Sequence, residues 1–183
     1  DVGAGDEPIL RIFPLRDSLF VFKTDGLYRI SGEGAPFSVS LFDSSCILKA
    51  PDSLAVLGNL VYGYTTQGIS TVSEAGINSI SSPIESTIKL LSSSQYPNFS
   101  KVTFGLSYES DNAYLLWTNK EKTDTFATVC YRYSSSTNTW TNFNISATSG
   151  INFSEDDKLY LGSANFNSLY QERKDFSRFD YAD

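Results

Sequence analysis

A chain of 183 residues with 40% apolar side chains can bury a core, which excludes a disordered polymer. Aromatic residues reach 14% and suit a pleated, half-buried surface, so the composition predicts sheet. A net charge of −7 and a pI near 4.6 exclude electrostatic gripping of nucleic acid, because an acidic surface repels phosphates. No run of about 18 apolar residues occurs, so no transmembrane helix is expected. No basic segment followed by an apolar one opens the chain, so no signal peptide is expected. The chain has no methionine and starts at Asp1, which suggests a processed or excerpted piece of a longer protein. Residues 1–183 read as a single all-β domain.

The first predicted unit covers residues 14–31. An apolar strand, Leu19 to Phe22, meets a polar turn, and a second strand runs from Leu27 to Ile30. Asp25-Gly26 is a strong turn dipeptide, with Gly26 where a tight hairpin needs positive φ. Gly32-Glu33-Gly34 follows as a turn between units, since it lacks the rest of a phosphate-binding loop. The unit returns over residues 56–73 at a constant offset of 42 residues. Leu15, Phe22, Gly26 and Ser31 reappear as Leu57, Tyr64, Gly68 and Ser73.

A helix is predicted next, over residues 83–91. Ser82 stands at N-cap, Pro83 at N1 and Glu85 at N3, in the manner of a capping box. Ile84, Ile88 and Leu91 then share one helical face. Residues 92–98 form the loop that ends it. The strand run Tyr114 to Trp117 begins a third unit, 53 residues after the second when Trp117 is set against Tyr64. The inserted helix accounts for the longer interval. A hairpin follows between Phe126 and Trp140: Ala127, Val129, Tyr131 and Tyr133 share a face, and Ser134 to Asn138 form the turn. Leu159 to Leu161 opens a fourth unit, 44 residues on when Leu161 is set against Trp117, with Ser168 to Gln171 as its return strand. Residues 171–183 carry seven charged side chains and no clean strand alternation.

Repeats spaced by a little over forty residues, with several strands each, predict a β-propeller or partial β-propeller of about four blades with one short inserted helix. Both ends look cut, which favours the partial form.

Chemistry is sparse. There is no histidine, so Ser-His-Asp and Cys-His catalysis and Cys/His zinc sites are excluded for this chain alone. Cys46 and Cys130 read as free thiols. Glu155-Asp156-Asp157 offers a calcium site or a carboxylate pair, but lacks EF-hand spacing and reads better as a solvated turn. Glu109 and Asp111 read the same way before Tyr114. A glycosidase using two carboxylates stays open, although the sialidase-type box is absent. The N-x-S triplets at Asn98, Asn144 and Asn152 read as incidental. Tyrosines and tryptophans read as packing between blades before they read as a stacking surface for sugar or nucleic acid. No catalytic, cofactor-binding or metal-ligating residue is predicted, and no cofactor.

Two stretches carry a resemblance: residues 14–32, and Leu159 to Ser163 through Leu169-Tyr170 with Phe179 to Asp183 behind. With the Ser82 to Glu85 helix start, they resemble the propeller part of podophage tail nozzle proteins, the tail tubular protein B family. The resemblance implies a structural, non-enzymatic virion component. It implies a homo-hexameric tube between an adaptor ring and fibres or a needle, with DNA passing through the lumen without specific binding and no membrane partner. The competing reading is a non-catalytic propeller module that recognises glycan or protein.

Overall fold

The computed structural model describes residues 2–3, 5–32 and 34–172. The expectations for residues 173–183 lie outside the described residues. Among the described residues, fifteen strands form four antiparallel sheets, and none of these sheets closes on itself. The first sheet holds β1 (Ile9–Leu15), β2 (Ser18–Lys23), β3 (Gly26–Ser31) and β4 (Ser38–Asp43). The second holds β5 (Ala55–Leu57), β6 (Leu60–Thr65), β7 (Gly68–Ser73) and β8 (Gly76–Ser79). The third holds β9 (Phe104–Tyr108), β10 (Ala113–Thr118), β11 (Val129–Ser134) and β12 (Thr139–Phe143). The fourth holds β13 (Ala147–Phe153), β14 (Lys158–Ser163) and β15 (Leu169–Gln171). Strands pair in chain order within every sheet.

The repeat is present in the backbone. β2 and β6, and β3 and β7, start 42 residues apart. The two hairpins share a register, with Lys23 opposite Gly26 and Thr65 opposite Gly68. Both glycines have positive φ, 145° and 93°, as the turn chemistry predicts. They stand just after the two turn residues and not within them. A second constraint acts there. A Cβ on Gly26 would lie 2.8 Å from the Asp43 carbonyl oxygen, and one on Gly68 would lie 2.3 Å from Ser81 Oγ.

Side-chain parity explains the stacking. The third and fifth residues of β2 (Phe20, Phe22), β6 (Tyr62, Tyr64) and β10 (Leu115, Trp117) point at the following sheet. The second residue of β6 (Val61) and the second and fourth of β10 (Tyr114, Leu116) point back. Three buried clusters result, one between each successive pair of sheets. The two middle sheets are covered on both faces. This is why β6 and β10 read as continuous apolar runs without polar alternation. Tyr62 stacks on Tyr114 across the middle gap, with ring centroids 5.2 Å apart. The first strands of neighbouring sheets lie together, β5 against β9 and β9 against β13.

Parity also corrects the fourth copy. Leu161 points back at the third sheet, as Leu116 points back at the second. Leu161 therefore matches Leu116, and the interval is 45 residues, not 44. The last apolar residue of each run is a poor marker, because Gly162 takes the place that Trp117 holds in β10.

Three further readings change. The Gly32–Gly34 segment joins β3 to β4 inside the first sheet and does not separate two units. β4 has no counterpart in the prediction, although Ser38, Val39, Ser40 and Leu41 alternate polar and apolar as a strand does. The helix 83–91 starts differently. Ser82–Ile84 form a 3-10 turn and the α-helix α1 covers Glu85–Leu91, with no side-chain cap at either start. The neighbouring hydroxyl, Ser81 Oγ, is instead bound to the sheet, accepting from Ile69 N–H at 3.1 Å. The predicted apolar face holds: Ile88 and Leu91 are buried and Ile84 packs beside them. A second helical turn, α2 (Phe99–Val102), has no counterpart in the prediction and places Phe99 in the same cluster. Ala127 lies outside β11 and packs with Cys130, on the opposite face from Tyr131 and Tyr133.

Candidate functional site

The acidic residues singled out in the sequence sit in turns. Residues 154–157 join β13 to β14. Asp156 accepts hydrogen bonds from Lys158 N–H and from the Tyr160 hydroxyl. The bond to Asp156 pushes the Tyr160 phenol above its ordinary pKa. Glu109 and Asp111 lie in the β9–β10 turn, where Asp111 meets Arg132 at 3.4 Å and Glu109 accepts from Gly58 N–H at 3.4 Å. Among the described residues no three His, Cys, Asp or Glu side chains gather as metal ligands would.

These turns belong to one rim of the molecule. Arg16 Nε donates to Asn59 Oδ1 at 3.3 Å, linking the first hairpin turns of sheets one and two. Gly58 N–H to Glu109 links sheets two and three, and the Tyr108 hydroxyl to the Asp157 carbonyl, at 3.2 Å, links three and four. Each of the four turns has one residue with left-handed φ: Arg16, Gly58, Asn112 and Asp157. Of these links only that of Glu109 runs through a carboxylate, while Asp111 and Asp156 bond within their own sheets.

Cys46 and Cys130 are free and buried. Burial pushes the Cys46 thiol up to about 12 and the Cys130 thiol well above its ordinary value. A thiol held protonated in this way is a packing group, not a nucleophile. Asn98 is committed to the fold through its amide, which donates to the Asp124 carbonyl at 2.9 Å. Asn144 is exposed and Asn152 is half-buried. Four tyrosines, Tyr62, Tyr64, Tyr114 and Tyr133, fill the gap between the second and third sheets. Tyr64, Tyr114 and Tyr133 are all core residues.

The site that sequence reasoning missed is a cleft of about 450 Å³ between the third and fourth sheets. Trp117, Phe143, Ile145, Leu159 and Leu161 form its apolar wall, and Asn165, Tyr170, Gln171 and Glu172 stand at its polar side. Connector length explains it. The connector between sheets one and two supplies Cys46, Leu48 and Leu54 to its gap. The connector between two and three supplies Ile88, Leu91 and Phe99. Sheets three and four are joined by residues 144–146 alone, which add nothing to the buried cluster.

Glu172 accepts from the Tyr108 hydroxyl at 2.8 Å and from Leu159 N–H at 3.4 Å, so its carboxylate is fixed. Trp117 is 0% exposed and stacks on Phe104, with ring centroids 5.5 Å apart. Its indole N–H finds no acceptor among the described residues. The other tryptophan, Trp140, donates to the Ile80 carbonyl at 2.9 Å. A smaller cleft, about 280 Å³ and mostly polar, lies between the β6–β7 turn and α1.

The chain matches no family model and no curated protein.

Proposed function

We propose that the chain is a non-catalytic structural module, part of a β-propeller whose outer sheets take further blades. The observation that carries this is the parity of the end sheets. Tyr160 occupies in β14 the position that inserts into the next sheet in β2, β6 and β10, and it faces outward with Ile151, Phe153 and Leu169. On the first sheet, Ile12, Val39 and Leu41 face outward in the same way. The contact of first strands, β5 with β9 and β9 with β13, supports the arrangement of propeller blades about an axis.

The sequence resemblance extends this reading to the nozzle of a short phage tail. The chain then forms part of a hexameric tube that docks an adaptor and fibres or a needle. The net charge of −7 supports a wall that DNA slides along without sticking. Immunogold electron microscopy of purified virions tests it. Label at the distal end of the tail is expected, and particles that never bind the antibody contradict it. The cleft between the third and fourth sheets favours a second reading, a module that binds glycan or protein. Saturable, specific binding on a glycan array would support that reading over the first.

A further inference from the structure

We propose that the two outer faces of the stack bind each other across two copies of the chain. The fourth sheet of each copy docks on the first sheet of the other, and the pair closes one ring of sheets. The inference rests on the reading that the outer sheets take further blades, and it names a second copy of this chain as what they take.

Three observations carry it. First, the two exposed faces are unlike and complementary. The fourth sheet ends on a forward face, where Tyr160 stands with the exposed Ile151, Phe153 and Leu169. The first sheet ends on a back face. There Leu19 holds in β2 the place that Val61 holds in β6, with the exposed Ile12, Val39 and Leu41 around it. In every gap inside the molecule a forward face packs on a back face. The chain therefore carries both halves of its own inter-sheet packing, one at each end. Exposed apolar surface of this kind supplies the driving force. Second, the place in front of the first sheet is already partly built. Thr66 ties down the connector that runs between sheets one and two. Its N–H donates to the Ile47 carbonyl at 2.8 Å and its hydroxyl to the Ser45 carbonyl. Thr24, 42 residues earlier, does the same on the first sheet. Its N–H donates to the Pro8 carbonyl at 3.3 Å and its hydroxyl to Glu7. Lys23 beside it donates to the Val2 carbonyl at 2.8 Å. One unit later, the equivalent segment lies on its sheet with another sheet packed in front. Third, the count closes. One copy leaves both faces exposed, so its four sheets do not complete a ring. Two copies supply eight sheets, within the range of about four to eight blades that propellers use. Head-to-tail contacts that close in this way give a ring and not a filament.

The test is the mass of the chain in solution. At about 100 μM, above the micromolar end of specific interfaces, light scattering should give twice 20.2 kDa. Leu41→Asp and Ile151→Asp each put a charge on an exposed site, so the urea midpoint of the dilute chain should stay in place. Each should weaken the pairing at least about tenfold, because the charge is buried on docking. A bismaleimide crosslinker then reads which faces meet, since Cys46 and Cys130 are buried. A mixture of Val39→Cys and Phe153→Cys chains should give crosslinked pairs, and neither variant should do so alone. Crosslinking of either variant with itself shows like faces meeting and overturns the proposal. A mass that stays at 20.2 kDa overturns it, and so does one that keeps rising with concentration, the mark of an open filament. Should the mass stay single while both sites are protected from thiol reagents in the natural assembly, the second copy fails and the reading that these faces take further blades stands.

Discussion

At the residue scale, the four rim turns place left-handed backbone on four different side chains. Arg16 and Gly58 occupy equivalent places in the first and second units, with φ of 52° and 59°. Left-handed φ costs a residue with a Cβ about 1 kcal/mol relative to glycine. Arg16→Gly should therefore stabilise the fold by up to about 1 kcal/mol, read as a higher urea midpoint, because the bond lost to Asn59 is exposed. An unchanged or lower midpoint would contradict the assignment. Buried acids make a second prediction. Burial raises Cys46 and Tyr64 to about 12, and raises Tyr114 and Cys130 as well. The folded chain keeps these groups protonated, whereas the unfolded chain releases their protons near 9 for cysteine and 10 for tyrosine. Their contribution is fully present below pH 9 and is lost as pH rises toward 12. Thermal melts should be flat from neutral pH to about 9 in this respect and fall steeply above it. A melting temperature that holds to pH 11 would contradict the burial of these groups.

At the element scale, β9 meets the 3-10 turn Pro51–Ser53 closely. A Cβ on Gly105 would lie 2.1 Å from the Ser53 carbonyl oxygen, which also accepts from the Tyr114 hydroxyl at 2.6 Å. Backbone cannot step aside as a side chain can. Gly105→Ala should cost about 3 kcal/mol. Gly63→Ala, whose Cβ would meet only the tip of Leu54 at 2.5 Å, should cost about 1 kcal/mol. Equal losses in urea denaturation would contradict the close approach. The elements were unevenly legible in the sequence. The hairpins at Gly26 and Gly68 were plain, because apolar strands flank a turn glycine at a fixed interval. The start of α1 was not, because Ser81 Oγ is taken by Ile69 N–H and the helix begins only after a 3-10 turn. β8 and β13 were weak signals, since mostly exposed or half-buried strands carry no apolar run. Gly105 was invisible as a constraint, because its neighbour Ser53 is distant in the chain.

At the scale of the whole molecule, four sheets stack in chain order because alternate residues of each central strand point forward and back. The period and the all-β class were legible in the sequence. It did not show which sheet each apolar residue serves, and so misaligned Leu161 with Trp117. The candidate cleft was hidden for a related reason. It arises from what the short connector at residues 144–146 fails to supply, and no motif announces a missing residue. Among the described residues, the outward faces of the first and fourth sheets both carry exposed apolar side chains. Leu41 is 53% exposed, Ile151 57% and Leu169 65%. Patches of this kind mark interaction surfaces.

The direct test is thiol labelling of Val39→Cys and Phe153→Cys, one on each outer face. Cys46 and Cys130 are buried and protonated, so each variant carries a single reactive thiol. Both new thiols should react rapidly in the dilute isolated chain and be protected in the particle or assembly into which the chain is built. Equally fast labelling in both states would contradict the claim that these faces take further blades.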